Sequence, residues 1–217
     1  MGLINTILDI VFPNYCLSCR KNGEILCLKC LSILQIAQRE TERWIYPLYD
    51  YRNPITKKAI HLLKYKNKKS LSHVFASVLY ERIIEELSDL IPLENFKDPI
   101  LIPIPLSPKR RRERGFNQSE LLCQRLMHLD KQFNNFKLEN KILIKDKETV
   151  HQAQIKNRSV RLKNLIQSFK VINGEKIKNR NIILIDDVTT TGATLTEAKK
   201  TLKKAGAKRI IAFTIAH

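Results

Sequence analysis

The stretch that decides the fold spans residues 182–194 and reads Ile182-Ile-Leu-Ile-Asp-Asp-Val-Thr-Thr-Thr-Gly-Ala-Thr194. Its four leading apolar residues predict a strand buried on both faces, as in the middle of a parallel sheet. Two carboxylates, Asp186 and Asp187, end this strand and are called the acid pair below. An amphipathic segment from Leu195 to Ala205 then predicts a helix that Gly206 closes. The pattern is therefore strand, loop and helix.

The loop between this strand and helix has the chemistry of an anion site. Small side chains let backbone N–H groups approach an anion, and the N-terminus of the next helix adds a positive dipole. The acid pair needs hydroxyl donors instead, so a ribose 5-phosphate would satisfy both parts of the motif. We expect the phosphate to bind at the residues called the phosphate loop, which are Thr189, Thr190, Thr191, Gly192, Ala193 and Thr194.

A second segment rich in arginine follows another predicted buried strand, residues 100–102. Ligands of open α/β sheets bind at the carboxyl ends of such strands, and guanidinium groups match phosphate oxygens. Arg110, Arg112 and Arg114 are therefore candidates for binding pyrophosphate. A solvated basic loop or a nucleic-acid patch remains the alternative, because basic runs are often only that.

Four cysteines near the N-terminus form two Cys-x-x-Cys pairs, Cys16 with Cys19 and Cys27 with Cys30. Two such pairs complete the tetrahedral shell that zinc prefers, so we expect a closed, structural zinc site. Disulfides are the weaker alternative, because the N-terminal apolar segment lacks the features of an export signal. Cys123 is expected to be a small buried hydrophobe.

Length and charge bound the possible functions. The 217 residues suffice for one α/β domain with a small appendage, and we predict a division into residues 1–40 and 41–217. The formal charge of +18 favours an anionic partner such as nucleic acid, but a solvated lysine-rich surface explains it equally well. No apolar stretch approaches a membrane span of about 20 residues, so a cytoplasmic protein is expected.

The remaining segments predict alternating strands and helices around a parallel sheet. Residues 44–51 predict a strand that is at the edge of the sheet or bulged, because it contains Pro47. Helices are predicted to follow near 54–65 and 71–90. The basic run 64–69 either contacts phosphates or complements a helix dipole. Strands are predicted at 141–144 and 165–172, with a polar, mobile loop over 145–164 and a short apolar helix over 2–12.

The motif at 182–194 resembles the loop of type I phosphoribosyltransferases that binds phosphoribosyl pyrophosphate (PRPP). It has neither the Gly-Lys-Ser/Thr of a Walker loop nor a GxGxxG. Nearly the whole chain is similar to the ComF family of competence-associated proteins. The similar segments are the four-cysteine ribbon, Pro-Leu-Ser at 105–107 with Arg-Gly-Phe-Asn-Gln at 114–118, the PRPP loop, and the set Thr149, Gln152, Arg161, Asn164 and Phe169.

This resemblance implies a type I phosphoribosyltransferase fold with an N-terminal zinc ribbon, PRPP bound with Mg²⁺, and Gln152 and Arg161 in a flexible loop over the site. It also implies a role in natural transformation, in which the protein handles incoming single-stranded DNA alongside DNA-uptake or recombination proteins. Two hypotheses remain open. One is a transferase with an unknown acceptor, and the other is a non-catalytic module that senses PRPP or binds single-stranded DNA. No histidine is placed as a general base; His61, His73 and His128 are expected on the surface or in the core, and only His151 stays open.

Overall fold

The computed structural model describes residues 14–38, 42–145 and 168–217. Strands and helices alternate through much of this chain, which is typical of α/β proteins. The elements are α1 (Leu28–Leu31), β1 (Ile45–Tyr49), α2 (Pro54–Tyr65), α3 (Leu71–Glu94), β2 (Ile100–Pro103), α4 (Pro108–Arg114), α5 (Gln118–Leu129), β3 (Lys137–Leu138), β4 (Leu143–Lys145), β5 (Phe169–Val171), a short 3-10 helix (Gly174–Ile177), β6 (Asn181–Val188), α6 (Ala193–Lys204) and β7 (Arg209–Ala216).

Five of these strands form one parallel sheet in the order β1-β7-β6-β2-β3. β6, the strand of the opening motif, lies at the centre between β7 and β2, so the predicted parallel α/β sheet is confirmed. Pro47 lies in β1, at the edge of the sheet as predicted, where its missing N–H breaks no ladder. Because the strands are parallel, the segments that follow β1, β2 and β6 meet at one end of the sheet.

Different helices cover the two faces of β6, which explains its unbroken apolar sequence. Ile183 and Ile185 belong to a hydrophobic cluster with residues of α3 and α5. Ile182 and Leu184 belong to a second cluster with residues of α6. All four side chains are fully buried. The rigid centre of the sheet therefore fixes the position of the acid pair that follows.

Two predicted strands do not join this sheet. β4 and β5 pair with each other in antiparallel register, with Leu143 opposite Val171. The prediction that they belong to a parallel sheet was wrong, because the apolar pattern of a short strand does not identify its partner. The arginine segment is also not a loop but helix α4. Ser107 caps it by accepting the Arg110 N–H at 3.4 Å, and Pro108 occupies its first turn, where proline is favoured.

The cysteine-containing N-terminal segment packs on the sheet domain. Its tight turn contains Gly23 with a left-handed φ of +102°, and Leu26 and Leu31 join the hydrophobic cluster that includes α3. The chain then lies beside β1, where the Ala37 N–H donates to the Leu48 carbonyl at 3.0 Å. The predicted boundary at residue 40 lies outside the described residues.

Several other predictions also fall outside the described part of the chain. They are the short helix over 2–12, His151, and the flexible-loop residues Gln152 and Arg161. Among the helices that the structure describes, none has the length and apolar character needed to cross a membrane.

Candidate functional site

A cavity of about 350 Å³ opens at the carboxyl ends of β2 and β6. This is the end of the sheet at which open α/β folds bind their ligands. The cavity brings together six residues that were predicted from separate segments, namely Asp186, Asp187, Thr190, Thr194, Arg110 and Arg114. A smaller pocket of about 30 Å³, lined by the phosphate loop, shares Asp186 and Thr190 with it.

The phosphate loop turns sharply between β6 and α6. Thr189 donates its N–H to a carbonyl of β7 at 2.9 Å, and Gly192 then takes a left-handed φ of +70° that glycine adopts without strain. The Gly192 carbonyl accepts the first helical hydrogen bond, from the Thr196 N–H at 2.8 Å. Within the described residues, the N–H groups of Thr190, Thr191 and Gly192 have no acceptor. Free donors at a helix N-terminus are suited to an anion.

Three elements hold the acid pair. Ser119, at the start of α5, donates its hydroxyl to Asp186 Oδ1 at 3.0 Å, and the Asp187 N–H donates to the same oxygen at 2.8 Å. Lys64, near the end of α2, places its Nζ 2.8 Å from Asp187 Oδ1. The side chains of this ion pair are only 16% and 10% exposed, so the charges meet largely out of water. The acid pair is therefore fixed by residues distant in the sequence.

Asp186 titrates near neutral pH. Its burial and the adjacent charge of Asp187 raise the pKa of Asp186 to about 7, although Lys64 and the two hydrogen bonds oppose the rise. An ionised carboxylate accepts only, whereas the protonated form also donates. Donors from a ligand, such as sugar hydroxyls, would stabilise the ionised form of Asp186.

Two of the three predicted arginines reach the cavity, one helical turn apart on α4. Arg114 donates to Gln118 Oε1 at 3.0 Å and to the Tyr65 hydroxyl at 3.2 Å, and its guanidinium lies 5.0 Å from the Tyr65 ring centroid. These contacts orient its planar cation. Arg110 lines the cavity directly. Arg112 is exposed and is not among the residues that line the cavity.

Three polar residues that line the cavity, Tyr51, His61 and Lys145, were not predicted as site residues. Lys64 and Tyr65 were predicted to contact phosphates only as one of two explanations of their basic run. His61 was expected on the surface or in the core, but it lines the cavity with its ring 5.0 Å from that of Tyr65. The only signal for this group was the basic run from residue 64. This run could either contact phosphates or complement the dipole of α2. The sequence could not decide between the two explanations, because it does not show which way α2 faces.

Lys145 adds positive charge to the cavity from the end of β4. Burial and the charge of Arg110 lower the pKa of Lys145 to about 8, while Asp186 opposes the change. Its Nζ lies 5.3 Å from the Phe169 ring centroid. Neighbouring cations in a partly buried site repel each other, and a bound anion relieves this repulsion. The site therefore favours an anionic ligand.

The four N-terminal cysteines form one cluster. Their Sγ atoms all lie within 4.8 Å of one another, and the Sγ of Cys27 is 3.7 Å from those of Cys16 and Cys19. Thiolates about 2.3 Å from a tetrahedral zinc are separated by about 3.8 Å, so the cluster has the size of a zinc site. Cys123 is fully buried, as expected, and burial raises the pKa of its thiol.

The backbone of the ribbon favours a thiolate at Cys16. Burial opposes ionisation there, but backbone N–H groups of Cys27, Cys19 and Ser18 lower the pKa of the Cys16 thiol to about 6. Since thiolates are the form that binds metal, this geometry fits a metal ligand. The cluster is thus compatible with the predicted structural metal.

Comparisons with known proteins found the following similarities. Residues 138–217 match the phosphoribosyl transferase domain family. The chain is 34% identical over 147 residues to the competence protein ComFC of Streptococcus pneumoniae, covering 67% of this chain and 56% of that protein. It is 27% identical over 162 residues to the DNA utilization protein YhgH of Salmonella typhi, covering 74% and 66%. A hypoxanthine phosphoribosyl transferase of Trypanosoma cruzi superposes with a TM-score of 0.41 and 12% identity, covering 67% and 64%.

The described residues form a parallel sheet flanked by helices, and residues 138–217 match the phosphoribosyl transferase domain. In sequence the chain is similar to proteins named competence protein ComFC, competence protein F and DNA utilization protein YhgH, in agreement with the predicted resemblance to the ComF family. The chain spans less than two thirds of the length of these first relatives.

Proposed function

We propose that the cavity binds PRPP together with Mg²⁺. One observation carries this proposal: a single cavity is lined by the acid pair, by Thr190 and Thr194 of the phosphate loop, and by basic side chains from three other segments. PRPP has the matching groups, which are sugar hydroxyls, a 5-phosphate and a pyrophosphate. A simple phosphate would offer the acid pair no sugar hydroxyl.

Each part of the ligand has residues that fit it. The 5-phosphate would accept from the N–H groups and hydroxyls of the phosphate loop, and the 2- and 3-hydroxyls would donate to the acid pair. Arg110, Arg114 and Lys145 would face the pyrophosphate. Mg²⁺ prefers carboxylate and phosphate oxygens, and when bound it neutralises charge on the pyrophosphate.

We further propose a role in natural transformation, in the handling of incoming single-stranded DNA in the cytoplasm. The support is the names of the relatives, a competence protein and a DNA utilization protein. DNA-uptake or recombination proteins are the expected partners. The four cysteines would hold a structural zinc in a ribbon within residues 1–40, apart from a phosphoribosyltransferase-like domain at 41–217.

Isothermal titration of the metal-loaded protein with PRPP and Mg²⁺ tests the site. The Asp186→Asn/Asp187→Asn variant should lose measurable binding, because its side chains no longer match the hydroxyls and the cation. Asp89→Asn/Asp98→Asn removes the same charge from exposed positions outside the cavity, and it should bind like the wild type. Absence of heat with folded wild-type protein would disprove the proposal.

Pyrophosphate release separates the two hypotheses that the sequence left open. A transferase would release pyrophosphate when PRPP is supplied with its acceptor, and it would lose this activity with the acid pair. A non-catalytic module would bind PRPP without releasing pyrophosphate across a screen of nitrogen bases and oligonucleotides.

A further inference from the structure

Beside the cavity lies a strongly basic surface that PRPP binding does not explain. It is formed by residues 65–69, at the end of α2, and residues 109–116, in and after α4, and is called the basic strip below. Its exposed cations are Lys66, Lys68, Lys69, Lys109, Arg111 and Arg112. Glu113 is the only acid in these two segments.

The exposed cations of the basic strip are largely free to bind a ligand. Arg111 pairs with Glu120 of α5 at 3.3 Å, and Lys68 donates to an amide oxygen near the cysteine ribbon. Among the residues that the structure describes, Lys66, Lys69 and Arg112 form no ion pair. Their charges are therefore not neutralised within this part of the protein.

Two contacts between a cation and an aromatic ring join the segments into one surface. The Arg114 guanidinium lies 5.0 Å from the Tyr65 ring centroid, and Lys69 Nζ lies 4.8 Å from that of Phe116. The Tyr65 side chain is 54% exposed although it is large and apolar on its faces. A lysine-rich face that only interacts with water requires no exposed aromatic ring between its charges.

This combination has a specific chemical meaning. Cations that follow a phosphate backbone, with aromatic rings on which unpaired bases stack, are typical of surfaces that bind single strands. Duplex DNA offers the same phosphates but no unstacked base. The ring of Tyr65 therefore favours a single strand over a duplex.

The basic strip is continuous with the candidate PRPP site, because Arg114 and Tyr65 also line the cavity. We propose that the basic strip binds single-stranded DNA and that the strand and PRPP compete for Arg114 and Tyr65. The competition rests on the proposed function. By linkage, PRPP must weaken DNA binding by the same factor by which DNA weakens PRPP binding.

Fluorescence anisotropy with a labelled oligothymidylate of about 12 nucleotides, within the usual range of single-strand sites, tests the surface. The variant Lys66→Gln/Lys69→Gln/Arg112→Gln should bind at least about tenfold more weakly near 0.1 M salt. The slope of its salt dependence should fall by about 0.7 for each phosphate that the variant no longer neutralises. The control Arg43→Gln/Lys97→Gln/Lys131→Gln removes the same charge from exposed residues outside the basic strip, and it should bind like the wild type.

Two further measurements examine the stacking and the competition. Tyr65→Leu should weaken oligonucleotide binding roughly tenfold, as expected when one base has no ring to stack on. Saturating PRPP with Mg²⁺ should release the oligonucleotide from the wild type. Equal weakening in the two triple variants, or equal affinity for duplex DNA, would overturn the inference. So would full occupancy by both ligands together.

These outcomes are distinguishable from failure of the proposed function. If calorimetry finds no PRPP binding, that function fails, whereas the two triple variants still locate the DNA surface. If PRPP binds and the triple variants do not differ, only the basic strip is wrong.

Discussion

The cavity has two sides that are built in different ways. The phosphate loop and the acid pair come from one continuous segment, residues 186–194, which leaves the central strand and enters α6. The basic side is assembled from three separate segments. Lys64 comes from α2, Arg110 and Arg114 come from α4, and Lys145 comes from β4.

The two sides therefore differ in what fixes the positions of their side chains. A continuous turn is fixed by its own hydrogen bonds and by the strand beneath it. The basic side depends on how well distant elements are held together, through contacts such as Lys64 with Asp187 and Arg114 with Tyr65. Substitutions in the assembled side should therefore affect both the stability of the fold and the affinity for the ligand.

The largest effect is expected from breaking the ion pair of Lys64 with Asp187, which joins the two sides within the described part of the chain. Lys64→Met leaves Asp187 largely buried without its cation, which should lower the free energy of unfolding by about 3 kcal/mol. Urea denaturation measures this change. The variant Lys64→Met/Asp187→Asn should recover most of the difference, and a double-mutant cycle gives the coupling. If Lys64→Met unfolds like the wild type, the two sides are independent.

A smaller effect is expected on affinity from the arginines of α4. Arg110→Gln removes a charged donor from the cavity, which should weaken PRPP binding by about 2 kcal/mol, roughly thirtyfold. Arg112→Gln is the matched control, because Arg112 is exposed and lies outside the cavity lining. Calorimetry compares the two. Equal weakening in both variants would mean that affinity for PRPP depends on the net charge of the protein and not on the position of Arg110 in the cavity.

The last expected effect is a slope in the pH dependence of stability. The pKa of Asp186 is raised from 3.8 to about 7, so between these values the folded protein binds more protons there than the unfolded chain. The free energy of unfolding should therefore fall as pH rises through this window. Urea denaturation at pH 5 and pH 8 shows the slope, and Asp186→Asn should flatten it. An unchanged slope in the variant would assign the titration to another group.

The continuous side of the cavity could be predicted from the sequence more completely than the assembled, basic side. Residues 186–194 could be identified because strand, acid pair and small-residue loop are adjacent, so the sequence order is also the spatial order. Arg110 and Arg114 were found because their helix follows a recognisable strand. Arg112 was predicted with them but does not line the cavity, since a helix turns it away from neighbours at positions i−2 and i+2.

Lys145 could not be predicted as a site residue, and for Lys64 and Tyr65 phosphate contact stayed one of two alternatives, because nothing local indicates which distant segment these residues face. The fold shows the same limit. Ile182 to Ile185 predicted a strand buried on both faces, but Leu143 and Phe169 gave no sign that their strands pair with each other in antiparallel register. Pairing is a property of two segments, and each strand contains only half of that information.

The segment that lies beside β1 affects how readily the protein can self-associate. β1 is the last strand of its sheet, and its outer side is occupied by two hydrogen bonds, from the Ala37 N–H to the Leu48 carbonyl and from the Asp50 N–H to the Gln35 carbonyl. An uncovered edge strand is a template on which other chains can add. The segment around residues 35–37, which follows the cysteine cluster, therefore covers this edge against the addition of another chain. If the cysteines hold the proposed metal, we expect its removal to promote aggregation through β1 at protein concentrations where the cavity is still intact.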